Sequence, residues 1–357
     1  MTAKVDSPGA EKYLAAAGAV KALKATLTVL AITAIMLVLC VLVVLFRPPE
    51  SGKSMRLVTE VALPRSHSFV SATDYARVAA HTLYVAYSSE NTLMTVNTQT
   101  LVATRRATGL GGLHGIAFSQ NPSIGFVTMG AADRVAMIEP ESGWLLGTVP
   151  AGKDPDGVIY DAKAATIYVG NGDSASATLI SPSDAAHPRT IALGGEPEYP
   201  QADETTGLVY QPLVDRSQLL VIDPLQARVT ARLAAAPCEH PAGQAIDVPH
   251  RRVLLGCGNR MLAVMDMDSG RIVQTLPIAR FVDFIAYDPV LQRVYAAGAA
   301  GTMTVIQRSA NGAYRFVENV RTKPGGHTLA VDLATHRVYV VCAGIHGASV
   351  LVYQPLP

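Results

Sequence analysis

The stretch Gly326-His-Thr-Leu-Ala-Val-Asp-Leu-Ala-Thr-His-Arg-Val-Tyr-Val340 decides the fold of this chain. It holds two short apolar runs, 328–331 and 338–340, on either side of a polar turn. Short apolar runs that are rich in β-branched or aromatic residues and bounded by turn formers predict β-strands, so the stretch predicts a β-hairpin. Copies of the same unit recur from the first third of the chain to its end.

Seven copies are recognised by an apolar residue, usually tyrosine, in the second strand of the hairpin. These seven anchor residues are Tyr84, Phe126, Tyr168, Tyr210, Leu254, Tyr295 and Tyr339. Successive anchors lie 41 to 44 residues apart. A period in the low forties with four short strands per copy is typical of β-propeller blades. A helical solenoid is disfavoured, because no window outside the N-terminal apolar segment keeps a 3.6-residue period.

The two ends of the repeat region indicate how the ring closes. The seventh copy stops after its third strand, at 349–353, whereas residues 55–63 form an extra strand ahead of the first copy. Pairing that strand with the last copy covers an otherwise open sheet edge. The sequence therefore predicts an all-β fold, a seven-bladed β-propeller over residues 55–357 with four-stranded antiparallel blades.

The repeats also resemble a known family. Arg337-Val-Tyr-Val-Val341, Thr166-Ile-Tyr-Val-Gly-Asn171 and Thr82-Leu-Tyr-Val-Ala-Tyr87 look like YVTN-type repeats, as do the third strand Leu219-Leu-Val-Ile-Asp223 and the turn Met267-Asp-Ser-Gly-Arg271. The resemblance covers roughly residues 55–357. It implies a seven-bladed propeller, usually exported in bacteria and archaea, that serves as a binding scaffold and has few shared catalytic residues.

The N-terminal part predicts a membrane anchor. Residues 25–46 contain no charged residue, glycine or proline, and as a helix they span about 33 Å, enough for a bilayer core. Lysines precede the segment, and Arg47 with two prolines follows it. This predicts a cytoplasmic tail (1–24), a signal-anchor helix (25–46), a linker (47–54) and a propeller on the periplasmic side of the inner membrane.

Three other interpretations of the apolar segment are weaker. A cleaved secretory signal needs a small-x-small site, which Phe46-Arg-Pro-Pro-Glu50 does not offer. A lipoprotein would use Cys40, but Leu39 is not the small residue that such a site requires. A buried core helix does not explain the length and the basic flank.

Composition excludes several classes of function. The 357 residues carry a formal net charge of +1, which gives no electrostatic case for a nucleic-acid partner. There is no Gly-x-Ser-x-Gly elbow, phosphate loop or Cys-x-x-Cys motif. Cys238 and Cys257 flank the first two strands of the fifth blade on the same face, and they predict a disulfide if that face lies in an oxidising compartment.

The loops that lead into the inner strands hold the candidate site. In a propeller these seven loops meet around the axis on one face, where functional residues gather. Each offers a His, Asp or Glu at the start of its inner strand or two residues earlier. The seven residues, which form a predicted axial ring, are His67, His114, Asp156, Glu198, His240, Asp283 and His327.

Three interpretations of the axial ring stay open. It is a hydrated polar opening in which each side chain caps its own loop, a metal-free ligand site, or a metal site. Imidazole with carboxylate suits Zn, Fe, Mn or Ni, and four axial histidines favour such a divalent transition metal over Ca. The candidate metal ligands are His67, His114, His240 and His327. These interpretations predict a scaffold that binds an unknown protein or small molecule at the axial face, or alternatively a metal-dependent hydrolase or lyase.

Overall fold

The computed structural model describes residues 26–39, 48–120, 123–345 and 347–357. The chain divides into two units, and the second, Pro49–Pro357, holds the strands. They form seven four-stranded antiparallel sheets in the described residues, so the predicted propeller is confirmed. Three 3₁₀-helices, η1 (Ser88–Glu90), η2 (Gly130–Ala132) and η3 (Val248–His250), lie in its turns.

Each sheet is one blade, and in blades 1 to 6 the strands follow chain order from the axis outward. Blades 1 to 4 comprise β2 (Ala76–Ala79), β3 (Thr82–Tyr87), β4 (Thr92–Asn97) and β5 (Ala103–Thr108); β6 (Leu113–Phe118), β7 (Gly125–Met129), β8 (Arg134–Ile138) and β9 (Leu145–Pro150); β10 (Pro155–Asp161), β11 (Thr166–Asn171), β12 (Ser176–Ser181) and β13 (Asp184–Ala192); β14 (Gln201–Asp203), β15 (Leu208–Leu213), β16 (Gln218–Asp223) and β17 (Arg228–Ala234).

The remaining three blades include the one that the first strand of the chain completes. Blades 5 to 7 comprise β18 (Pro241–Asp247), β19 (Arg252–Cys257), β20 (Met261–Asp266) and β21 (Arg271–Pro277); β22 (Val282–Asp288), β23 (Arg293–Gly298), β24 (Thr302–Arg308) and β25 (Tyr314–Arg321); β26 (Gly326–Asp332), β27 (Arg337–Gly344), β28 (Gly347–Pro355) and, outermost, β1 (Met55–Ala62).

The strand β1 closes the ring as predicted. It pairs antiparallel with β28 from Met55 opposite Pro355 to Ala62 opposite Ser349. The segment just before β1 is also attached to the propeller. The carboxylate of Glu318, in blade 6, accepts hydrogen bonds from the backbone N–H groups of Lys53 and Ser54, both at 2.7 Å.

The anchor residues explain why the repeat period and the fold go together. All seven side chains are at most 7% exposed. Each belongs to a hydrophobic cluster shared by its own blade and the next, as Tyr84 does between blades 1 and 2 and Tyr339 between blades 7 and 1. Burying one large apolar side chain per repeat in this way holds each blade against its neighbour.

Buried aspartates organise the turns on the face opposite the predicted axial ring. Asp288, at the end of β22, accepts hydrogen bonds from the backbone N–H groups of Val290 and Leu291, each at 3.0 Å. Its other oxygen accepts a 2.7 Å hydrogen bond from Nδ1 of His336 in blade 7. His336, the second histidine of the stretch 326–340, therefore links blades 6 and 7 on this far face.

The N-terminal unit is described in part. Residues 26–39 are helical, and their large apolar side chains are exposed. Within the described ranges, no helix has both the length and the apolar character needed to cross a bilayer. The predicted membrane segment, 25–46, extends at both ends beyond the described helix, and residues 1–25 and 40–47 lie outside the described residues.

Candidate axial site

Strand pairing defines the axial position of each blade independently of the loops. In every blade the anchor residue pairs with a residue of the inner strand, as Tyr339 pairs with Ala330 and Phe126 with Ala117. The residue three places before this partner occupies the axial position of the blade. The seven residues at that position are Asp74, His114, Asp156, Glu198, Ala242, Asp283 and His327. Five of the seven predicted ring residues occupy it.

Blade 1 differs from the prediction, and its first hairpin is two residues shorter, so that its axial residue lies ten residues before the anchor instead of twelve. Its turn holds two residues between β2 and β3, whereas four residues connect β26 to β27. The axial residue of blade 1 is therefore Asp74, which the sequence analysis missed. His67 lies earlier in the loop, with a side chain 89% exposed and Nδ1 2.6 Å from Oε2 of Glu90.

Blade 5 departs from the prediction as well. Ala242 occupies its axial position, and His240, two residues earlier, is exposed with a left-handed backbone (φ 49°). The loop that carries His240 is tied down by a disulfide between Cys238 and Cys257, whose Cα atoms are 5.4 Å apart. The disulfide thus fixes the loop of the one blade that brings no ionisable group to the axis.

His114 lies at the centre of the charged groups. Its Nδ1 donates a 2.7 Å hydrogen bond to Oδ2 of Asp74 and lies 3.5 Å from Oδ1 of Asp156. Its Nε2 lies 3.3 Å from Oδ1 of Asp154. A Cβ added to Gly130 would lie 2.3 Å from that Asp154 oxygen and 2.6 Å from Nε2, so only glycine allows the loop of blade 2 this close to the pair.

A second imidazole–carboxylate pair joins blades 6 and 7. Nδ1 of His327, in blade 7, donates a 2.9 Å hydrogen bond to Oδ2 of Asp283 in blade 6. This hydrogen bond raises the pKa of His327, against the opposing effect of burial, and the charge of Asp74 raises it further. We call Asp74, His114, Asp156, Glu198, Asp283 and His327 the axial cluster.

The members of the axial cluster shift one another's pKa values. Burial lowers the pKa of His114, but the hydrogen bond to Asp74 and the surrounding carboxylates outweigh it and raise that pKa to about 9. Burial and the charge of Asp74 raise the pKa of Asp156 to about 8. Burial and the charges of Asp156 and Asp283 hold the pKa of Glu198 well above its usual range. The cluster therefore keeps protons at neutral pH, because its carboxyl groups crowd one another.

Three aromatic side chains close the channel beneath the axial cluster. Tyr75, Tyr199 and Phe284 come from blades 1, 4 and 6 and follow the axial position directly. Their ring centroids are 4.7 to 5.9 Å apart, and each side chain is at most 7% exposed. We call them the aromatic trio. The hydroxyl of Tyr75 donates a 3.3 Å hydrogen bond to Oδ2 of Asp156, which connects the trio to the cluster.

Glycines in the other blades make room for the aromatic trio. The residue after the axial position is Gly115, Gly157 or Gly243 in blades 2, 3 and 5. A Cβ on Gly243 would lie 2.9 Å from Cα of Phe284, and one on Gly157 would lie 3.1 Å from Cα of Tyr199. Blade 7 has Thr328 at this place, so the seven blades supply three aromatic residues, three glycines and one threonine, a pattern that is visible in the sequence only once the register is known.

The arrangement offers metal-ligating atoms, but from a different set than expected. One ligand atom each from Asp74, His114 and Asp156 lies within 4.8 Å of the others, and this is the only such group found in the described residues. The four histidines expected to share a metal therefore do not meet. One imidazole with two carboxylates suits Mn, Zn or Ca.

Comparison with known proteins places the fold but not the family. Neither a family model nor a curated protein matches the chain. Hydrazine synthase of Kuenenia stuttgartiensis superimposes with a TM-score of 0.67 and 14% identity, over 77% of this chain and 94% of that chain. The WD40 β-propeller domain of Doa1 gives 0.68 and 11%, over 85% and 98%. Streptogramin B lyase gives 0.66 and 10%, over 86% and 100%.

These identities are too low to indicate more than a shared fold. The chain is a seven-bladed β-propeller of repeated four-stranded units, and its membership of the YVTN-type family stays a prediction from the repeats.

Proposed function

We propose that this chain is a binding protein that takes a cationic ligand at the axial cluster. One observation carries the proposal: six of the seven blades bring an ionisable side chain to one end of a channel that the aromatic trio closes. A ligand that enters from this face meets convergent polar groups above a packed floor, which is the shape of a binding site.

The charge of the ligand follows from the excess of carboxyl groups over imidazoles. The cluster has four carboxyl groups and two imidazoles, and Asp154 adds a further carboxylate beside His114. The raised pKa values of Asp156 and Glu198 mean that protons relieve the repulsion between these groups. A divalent metal ion or an organic ammonium group would relieve it instead, so binding of either releases protons.

Titration calorimetry of the full chain with Mn²⁺ and with butylammonium tests this. In buffers of different ionisation enthalpy, at least one probe should bind and release protons, and Asp156→Asn should weaken binding by about tenfold or more. The matched control is Asp184→Asn, because Asp184 is an exposed residue of an outer strand. Absence of binding by both probes, or binding without proton release, would overturn the proposal.

A second candidate function is that of a metal-dependent hydrolase or lyase. It is favoured by the group Asp74, His114 and Asp156, whose ligand atoms are near enough to share one ion. A metal held there would polarise a carbonyl or activate water. Elemental analysis of the purified chain separates the two functions. A chain that contains no metal and does not respond to added Zn, Fe, Mn or Ni is not such an enzyme.

We also propose that the chain is anchored by residues 25–46 in the inner membrane, with the propeller outside the cytoplasm and the tail 1–24 inside. The proposal is supported by the uncharged apolar sequence of this segment and by the lysines that precede it. The Cys238–Cys257 disulfide fits an oxidising compartment. Alkaline extraction of membranes tests the anchor: the full chain should stay in the pellet, and a chain that starts at Pro49 should be released.

A further inference from the structure

The axial channel has a second compartment, separated from the axial cluster by the aromatic trio. It is a cavity of about 250 Å³ bounded by the inner strands of blades 1, 4, 5, 6 and 7. Tyr199 and Phe284 form its end toward the cluster. Its other lining residues come later on the same strands, and none belongs to the axial cluster. It is therefore a distinct cavity near the opposite face.

Apolar side chains and polar atoms share the wall of this lower cavity about equally. Val78, Ile246, Ala286, Val331 and Leu333, from four blades, line it. These apolar side chains favour the aliphatic or aromatic body of a ligand, because contact with them removes apolar surface from water. The volume lies just below the usual range for small-molecule sites, so the ligand must be small.

Arg77 brings a charge to this wall. It is the only charged residue among those that line the cavity, it is half-buried, and its guanidinium makes no hydrogen bond or ion pair with the described part of the chain. Arg77 pairs with the anchor Tyr84, and four of the other blades have alanine at the equivalent position. A long cationic side chain is thus placed where the repeat needs only a methyl group.

We propose that the lower cavity binds a small monocarboxylate with an apolar body. Arg77 holds the carboxylate, because a guanidinium forms charge-assisted hydrogen bonds with carboxylate oxygens in a geometry that fits both. The body of the ligand lies against Ile246 and Val331. This site is independent of the proposed function of the axial cluster, since it lies beyond the aromatic trio and selects the opposite charge.

Methyl NMR of the full chain in detergent, with hexanoate and hexanamide as probes, tests the proposal. Hexanoate should shift the methyl signals of Val78, Ile246 and Val331, and hexanamide, which lacks the charge, should bind about tenfold or more weakly. Arg77→Met should reduce hexanoate binding to the level of hexanamide, and Arg77→Lys should retain part of it. Ala286→Leu, which fills the cavity, should abolish the shifts for both probes.

Arg105→Met is the matched control, because Arg105 lies on the exposed outer strand of the same blade. It should bind hexanoate as the unmodified chain does. The proposal is overturned if hexanoate and hexanamide bind equally well, if Arg77→Met binds hexanoate normally, or if the shifted methyl groups lie outside the cavity. The same spectra show whether each variant is folded, so loss of the fold is not mistaken for loss of the site.

Discussion

At the scale of single residues, His114 shows how the axial cluster works. It is the only member within ion-pair distance of three carboxylates in the described residues, those of Asp74, Asp154 and Asp156. These carboxylates come from blades 1 and 3 and from the loop between blades 2 and 3, so one imidazole joins three neighbouring blades. The protonated form of His114 therefore stabilises the ring as well as the site.

The pH dependence of stability should report this coupling. The folded-state pKa values of His114, about 9, and Asp156, about 8, lie above their ordinary values of 6.5 and 3.8. The folded chain thus binds protons more tightly than the unfolded chain, so the free energy of unfolding falls as pH rises. For His114 the loss lies between about pH 6.5 and 9, and it should be on the order of 3 kcal/mol.

Urea unfolding from pH 6 to 9.5 measures this loss. His114→Gln should flatten the upper part of the profile, whereas His81→Gln, in an exposed turn, should leave it unchanged. A profile of the unmodified chain that is flat or rises over this range would contradict the prediction.

The aromatic trio gives a second prediction at this scale. Phe284→Ala should lower the free energy of unfolding by about 3–5 kcal/mol, because Phe284 is 6% exposed and packs against both tyrosines. Phe281→Ala, at a residue 64% exposed, should cost less than about 1 kcal/mol in the same urea titration. Equal losses for the two variants would mean that the trio is not a packed floor.

At the scale of secondary-structure elements, the hairpins determine which residues reach the axis. The seven blades share a repeat, but blade 1 shortens its first turn by two residues and blade 5 places Ala242 at the axial position. The axial residue lies twelve residues before the anchor in the other six blades, and this spacing in blade 1 reaches Ala72 instead of Asp74. The strand pairs, not the loop sequences, carry the register.

The disulfide in blade 5 can be tested as an element of its own. Cys238 and Cys257 are 19 residues apart, and a cross-link that closes a loop of this size contributes about 3 kcal/mol on the chain-entropy model. The double variant Cys238→Ala, Cys257→Ala should therefore have a free energy of unfolding lower by about 3 kcal/mol and should unfold at a lower urea concentration. Reductant should bring the unmodified chain to the same midpoint and leave the double variant unchanged; a response of the double variant to reductant would contradict this explanation.

At the scale of the whole molecule, closure of the ring depends on β1. This strand covers the edge of β28, and Met55 at its start is completely buried in the core. A chain that starts at Ser66 should lose most of a net stability of roughly 5–15 kcal/mol, because blade 7 keeps an open edge and the N- and C-terminal parts are no longer joined.

Thermal unfolding of the two truncated chains compares closed and open rings. The chain that starts at Pro49 keeps β1 and should melt in one transition well above the chain that starts at Ser66. A synthetic peptide of residues 49–63 added to the shorter chain should restore part of the difference. Identical melting of the two chains would contradict the closure.

The sequence by itself determined the fold of this protein. Its anchors recur every 41 to 44 residues, and each large apolar side chain needs a neighbouring blade to bury it, so the number of blades and the closing strand follow from local patterns. The axial positions of blades 2, 3, 4, 6 and 7 were also predictable, because each lies twelve residues before the anchor of its blade.

Only the tertiary structure decided which groups meet. The place of Asp74 depends on a shortened turn that counting from loop sequences does not reveal, and the exposure of His67 and His240 follows from how their loops run across the surface. The aromatic trio and the cavity beneath it join residues from blades that are distant in sequence. Distances across the axis, and the pKa values that depend on them, arise only when the ring is closed.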